Sequence, residues 1–110
     1  MKIKNIAFVS SDGIHLDEHF GKGTFLWKYE ISGREMQFVG KAKIEKEETK
    51  MMHEQMQNVL LALQGSDVVI AQKIGQGVKR ILAENEIYPL EYDGCIDDAI
   101  VKLLRYLFRE

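Results

Sequence analysis

The sequence predicts an α/β fold in which a mixed five-stranded sheet carries helices on both faces. Short apolar runs, typical of buried strands, alternate in the second half with segments of three- and four-residue hydrophobic spacing, typical of amphipathic helices. The predicted element order is β-β-β-α-β-α-β-α. Because helical crossovers are right-handed and join parallel strands, strands one, four and five should be parallel. With the first hairpin alongside, the predicted strand order is 3-2-1-4-5.

The chain begins with three predicted strands. Strand one, Ile3 to Val9, contains the run Ile6-Ala7-Phe8-Val9, which indicates burial on both faces. Strands two and three, Thr24 to Ile31 and Glu35 to Lys43, are rich in aromatic and β-branched residues and form a hairpin. Gly40 offers no side chain for packing, so we expect a bulge there.

The second half alternates helices with strands. The charged segment Glu45 to Lys50 leads to an amphipathic helix that starts near Met52 and ends before Gly65. The remaining predicted elements are strand four (Asp67 to Ala71), a helix opened by Gly75-Gln76-Gly77, strand five (Ile87 to Tyr92) and a helix with an apolar stripe from Ile96 to Leu107. Pro89 cannot donate a ladder hydrogen bond, which places strand five at an edge.

Length and composition limit the functional classes. The 110 residues predict one domain, residues 1–110. The net charge of −2 lacks the basic excess of a nucleic-acid surface, and no apolar run approaches the about 20 residues that span a bilayer. The sequence opens without a signal-peptide pattern. Cys95, the only cysteine, cannot form an internal disulfide, so we expect a cytoplasmic protein without membrane or nucleic-acid partners.

The segment Ser10 to Gly23 is the first candidate site. It holds two of the three histidines, three acidic residues and three of the nine glycines. Connections of this length are uncommon and often functional. Histidine is a metal ligand near neutral pH, and glycine lets a ligand approach the backbone. An ordinary turn at Asp12-Gly13 is the alternative explanation.

The turn after strand four is the second candidate site. Gly75-Gln76-Gly77 stands at a helix N-terminus, where backbone N–H groups and the helix dipole favour an anion. A tight strand-to-helix turn explains the same residues equally well. Ligands of open sheets bind outside the carboxyl ends of parallel strands. If strands one and four are neighbours, both candidate loops therefore open onto one crevice.

These segments resemble the dinitrogenase iron–molybdenum cofactor biosynthesis family. The matching stretches are Ile6 to Gly13, Leu16 to Gly21, Asp67 to Ala71 with Ile74 to Gly77, and Asp93-Gly94 with the last helix. The resemblance implies a ribonuclease H-like, three-layer α/β fold without ribonuclease activity. It also implies a nitrogen fixation-related role, since family members bind or carry metal–sulfur clusters during nitrogenase cofactor assembly. By position, His19 would contact the cluster.

The leading hypothesis is a non-enzymatic module that binds or carries an anionic metal–sulfur cluster of iron–molybdenum or iron–sulfur type. Its partners would be cofactor-assembly proteins. The predicted cluster-binding residues are Asp12, Gly13, His19, Phe20, Gly21, Lys22, Gly75, Gln76 and Gly77, with His19 on the metal. One alternative is a small-anion or regulatory interaction module. The other is a metal-dependent hydrolase whose oxygen ligands would be Asp12, Asp17 and Glu18.

Overall fold

The computed structural model describes residues 3–20, 25–44 and 52–109, with the backbone alone for residues 52–55. The charged segment Glu45 to Lys50 lies outside the described residues. The strands are β1 (Asn5–Val9), β2 (Phe25–Ser32), β3 (Glu35–Lys43), β4 (Val68–Ala71) and β5 (Tyr88–Glu91). The helices are α1 (Met52–Ala62), α2 (Gln76–Glu84) and α3 (Ile96–Leu107).

The strands form one mixed sheet in the order β3-β2-β1-β4-β5. β4 pairs in parallel with both β1 and β5, whereas β2 pairs antiparallel with β1 and β3. The continuous apolar runs of β1 and β4 occupy the middle of the sheet, where both faces are covered. The predicted α/β class, strand order and parallel set are confirmed.

Helices cover both faces of the sheet, which gives three layers. Alternate residues of β1 point to opposite faces, as the pleat requires. Ala7 and Val9 belong to the core beneath α1 and α2. This core also contains Leu63 and Leu82. Ile6 and Phe8 pack in the second core, which α3 covers with side chains such as Leu103. One face thus has two helices, while the other has α3.

Local details explain where the elements begin and end. The carboxylate of Asp67 accepts hydrogen bonds from the backbone N–H groups of Lys4 and Asn5, both at 2.9 Å. They lie where β1 and β4 begin, at Asn5 and Val68, later than the predicted Ile3 and Asp67. The β2–β3 register shifts between Lys28 and Tyr29, opposite Gly40, which confirms the expected bulge. No helix in the described part of the chain is long and apolar enough to cross a membrane.

Candidate functional site

The loop after β1 is organised by the side chain of Asp12. One carboxylate oxygen accepts hydrogen bonds from the backbone N–H groups of Ile14 (2.8 Å) and His15 (2.9 Å), and the other lies 3.0 Å from Nδ1 of His15. The backbone N–H of His15, its ring and the Ile14 N–H together hold the pKa of Asp12 well below its usual range. The same ion pair raises the pKa of His15. Asp12 therefore fixes the loop conformation from within.

The indole of Trp27 on β2 packs against the start of this loop. Its Nε1 donates a hydrogen bond to the backbone oxygen of Ser10 at 2.9 Å. Gly13 has a φ of +78°, and a Cβ built on it would lie 2.7 Å from the Trp27 ring. A left-handed backbone in close contact with a ring requires glycine. Gly13 thus has a structural explanation that involves no ligand.

The middle of the loop runs to the turn between β5 and α3. The backbone N–H of Leu16 donates to the oxygen of Gly94 at 2.8 Å, and that of Ile96 donates to the oxygen of Ile14 at 2.7 Å. His15 and Cys95 face each other in the resulting antiparallel bridge. Leu16 is buried in the core beneath α3 and anchors this crossing.

The end of the loop pairs with the turn after β4. Phe20 donates its backbone N–H to the oxygen of Lys73 at 2.8 Å, and Gln72 donates to the oxygen of Glu18 at 3.3 Å. His19 and Lys73 form a parallel bridge, and both residues are exposed. The ring of Phe20 is buried in the core beneath α1 and α2. The two candidate loops are therefore neighbours, and their opening onto one crevice stays a prediction.

The N-terminus of α2 has no side-chain cap. Gly75 occupies the N-cap position with φ −63° and ψ 152°, and it provides no side-chain hydrogen bond to the helix. Gly75, Gln76 and Gly77 are all exposed, and the positions where either glycine would carry a Cβ are open space. Neither a strained turn nor close packing accounts for these glycines. They place no side chain of their own over the first turn, whose N–H groups favour an anion.

Glu91, at the carboxyl end of β5, fastens the turn that precedes α2. Its carboxylate accepts hydrogen bonds from the backbone N–H of Ile74 and from Nζ of Lys79, each at 2.9 Å. The Ile74 bond first, and then Lys79, lower the pKa of Glu91, and the charge of Lys73 adds to this effect. Sequence reasoning missed Glu91. The available signal was its position at the carboxyl end of β5, the strand predicted beside β4.

The comparisons with known proteins agree with this fold. A family described as dinitrogenase iron-molybdenum cofactor matches residues 1–106. The chain belongs to this family.

Two solved proteins show the same fold at low identity, which supports the fold alone. The crystal structure of PH0822 has a TM-score of 0.69 at 17% identity, over 91% of this chain and 88% of that one. MJ0327 of Methanocaldococcus jannaschii, described as a candidate dinitrogenase, has a TM-score of 0.66 at 10% identity, over 96% of this chain and 92% of that one. Its NMR structure gives 0.62 at 14% identity, over 97% and 92%. No curated protein sequence matches this chain.

In this family member the predicted site residues divide into three groups. Asp12, Gly13 and Phe20 hold the loop in place through internal contacts. His19 lies exposed beside the turn that leads to Gly75, Gln76 and Gly77. Gly21 and Lys22 lie outside the described residues. Lys73, which the predicted set omits, adds an exposed cation beside His19.

The carboxylates of the hydrolase alternative do not form a metal centre in the described parts of the chain. Within residues 3–20, 25–44 and 52–109, no group of three His, Cys, Asp or Glu side chains could hold a metal ion. Asp12 is bonded within its loop. Both oxygens of Asp17 accept from Ser11, one from its N–H at 3.3 Å and one from its hydroxyl at 2.6 Å. The geometry accordingly gives the hydrolase no support.

Proposed function

We propose that this member of the dinitrogenase iron-molybdenum cofactor family is a non-enzymatic module that binds or carries an anionic metal–sulfur cluster. The cluster is its cargo, of the iron–molybdenum cofactor or precursor type. The main support is the backbone pairing of His19 with Lys73. This pairing sets an exposed imidazole and an exposed ammonium group at the turn that leads to the bare N-terminus of α2.

His19 is the proposed metal contact. Neutral imidazole is a competent ligand for iron and similar metals. The described residues offer no three-ligand site for a bare ion. A single imidazole would suit an assembled cluster, whose own sulfides would satisfy most metal positions and leave one for an external nitrogen.

The anionic charge of the cluster would be met by the groups around His19. The first-turn N–H groups of α2 and the helix dipole favour a negative charge. The exposed amine of Lys73 adds one positive charge, and Lys22 enters the proposal from the sequence alone. Asp12, Gly13 and Phe20 act as positioning residues that hold the loop carrying His19.

The exposure of this surface favours a carrier over a permanent holder. A buried cofactor with several protein ligands dissociates slowly, because many contacts must break together. Here one imidazole and a set of exposed hydrogen-bond donors would release the cargo when that single metal–nitrogen bond is exchanged. An acceptor protein of the cofactor-assembly pathway is the expected partner for this exchange.

Anaerobic titration with two probes tests the proposal. Isolated iron–molybdenum cofactor would offer a metal position to the His19 ring. Tetrathiomolybdate is an anion that tests the N–H groups of α2 and the Lys73 amine without a bond from histidine to metal. His19→Ala should weaken cofactor binding about tenfold or more, the equivalent of about 1.4 kcal/mol or more, and change tetrathiomolybdate binding little. His53→Ala is the matched histidine control and should bind both probes like wild type. Visible absorption follows each titration.

A second variant tests the N-terminus of α2. Gly75→Asp provides a favourable N-cap side chain, so the fold should be kept, but its carboxylate should repel both probes. If wild type and His19→Ala bind the cofactor alike, or neither binds, the cluster proposal fails. Phosphate binding that Gly75→Asp abolishes would then favour the small-anion module, for which the uncapped helix is the supporting observation.

A further inference from the structure

A groove lies along the open edge of the sheet, between β5 and α3. Its volume is about 680 Å³, within the about 300–1,000 Å³ that is usual for small-molecule pockets. Its apolar lining includes Ile70 and Leu90 from the sheet and Leu103 from α3. Two tyrosines at its margin are strongly exposed, Tyr88 at 50% and Tyr106 at 66%. Large exposed aromatic side chains beside a concave apolar surface mark interaction sites.

The charges that line the groove favour an anionic ligand. The charged lining residues are Glu91 and Lys102. Both oxygens of Glu91 are engaged, by the Ile74 N–H and by Lys79. Nζ of Lys102 lies 4.9 Å from the ring centre of Tyr92, and interaction with that tyrosine, then with the charge of Asp98, raises the pKa of Lys102. A lysine is cationic at neutral pH in any case, so among the described lining residues Lys102 places a positive charge beside a mostly apolar surface.

The open edge itself is a poor site for an added strand. Tyr88 and Tyr92 donate their backbone N–H groups to Asp67 and Ala71, on the β4 side, each at 2.9 Å. Alternate residues of a strand face opposite sides, so position 89 faces the open edge, and Pro89 has no N–H to donate there. A short edge strand containing proline resists pairing with another chain. The groove is thus suited to a compact molecule and not to an extended peptide.

We propose that this groove binds a small planar apolar molecule carrying one anionic group, such as an aromatic carboxylate or sulfonate. The apolar body contacts the aliphatic floor and the tyrosine rings, and the anion pairs with Lys102. The groove is separate from the proposed cluster site, because its lining does not include His19, Lys73 or residues 75–77, and it shares only Glu91 with the turn before α2.

Two fluorescent probes of similar shape test this proposal. 1-Anilinonaphthalene-8-sulfonate carries an anionic group, whereas N-phenyl-1-naphthylamine is uncharged. Lys102→Gln should weaken the sulfonate about fivefold, as expected for the loss of one exposed ion pair, and leave the uncharged probe unaffected. Tyr106→Ser should weaken both probes. Leu61→Ser, at a residue 69% exposed on α1, is the matched control and should change neither.

Three results would overturn the proposal: equal loss of both probes in Lys102→Gln, no loss in Tyr106→Ser, or a loss in Leu61→Ser equal to that in Tyr106→Ser. Thermal melts of each variant establish that the fold is retained, and all three positions are exposed. Sedimentation velocity should give a monomer. A dimer that Tyr106→Ser dissociates would make the groove an interface between two copies, contrary to the proposal.

Discussion

Asp12 shows how one side chain can replace the secondary structure that a loop lacks. Its carboxylate accepts hydrogen bonds from two backbone N–H groups and contacts the His15 ring. Without Asp12, these groups would need water or a ligand as their hydrogen-bond partner. The Asp-Gly pair correctly predicts a turn, but the sequence contains no sign that Gly13 packs on Trp27, which lies 14 positions later. The two residues therefore belong to the loop framework, while His19 is the exposed group that the framework presents.

The Asp12–His15 pair predicts a pH dependence of the loop. The pKa of Asp12 is lowered from 3.8, so its contribution is present above that pH and is lost as the pH falls towards its folded pKa. The pKa of His15 is raised from 6.5, so its contribution is present below 6.5 and is lost as the pH rises through its folded pKa. The pair should therefore stabilise the loop most between pH 3.8 and 6.5.

NMR titration of the His15 ring measures this effect directly. In the wild type, His15 should titrate above 6.5, and in Asp12→Asn its pKa should fall back towards that value. An unaltered His15 titration in Asp12→Asn would show that the ion pair is not formed in solution.

At the scale of elements, the contact between the β1 loop and β2 decides the stability of the site. Gly13→Ala should lower the free energy of unfolding by at least about 1–2 kcal/mol, the usual cost of a left-handed conformation for a residue with a Cβ. The clash with the Trp27 ring adds to this cost. Urea unfolding followed by the fluorescence of Trp27, the only tryptophan, measures the loss of unfolding free energy.

Gly75→Ala is the matched control, because Gly75 has a negative φ and open space where the Cβ would stand. It should change the unfolding free energy little. Similar losses in the two variants would contradict the assignment of Gly13 to the loop framework and of Gly75 to an accessible helix terminus.

Local patterns predicted some elements well and others only approximately. β3 and α3 have the expected bounds, since the turn at Gly33 and the apolar stripe from Ile96 are both local signals. β1 and β4 begin later than predicted, beside the contact of the Asp67 carboxylate with Lys4 and Asn5, which lie more than 60 positions earlier and which no local pattern indicates. The meeting of the two site loops followed from strand order. The hydrogen bond from the Ile74 N–H to Glu91 could not be predicted in this way, because it depends on side-chain geometry across neighbouring strands.

At the scale of the whole molecule, the two faces of the sheet are covered unequally. α1 and α2 share one face, and α3 covers the other, leaving the groove beside β5. On the same face as α3, at the other side of the sheet, Phe38 is exposed and its ring centre lies 6.0 Å from that of Trp27. An open edge strand beside exposed apolar surface can pair with the edge of another copy unless a feature of the strand prevents it. Pro89 serves this purpose on β5.

Pro89→Thr should therefore promote self-association while retaining the fold. Threonine suits a strand and restores an N–H that faces the open edge, whereas the β4–β5 ladder uses the N–H groups of Tyr88 and Tyr92 and stays intact. In sedimentation velocity, the mean mass of Pro89→Thr should rise with protein concentration more steeply than that of wild type. Leu61→Thr, on the outer surface of α1, controls for a general change in surface polarity. Equal sedimentation of Pro89→Thr and wild type would mean that the shortness and twist of β5, not the missing donor, keep this edge unpaired.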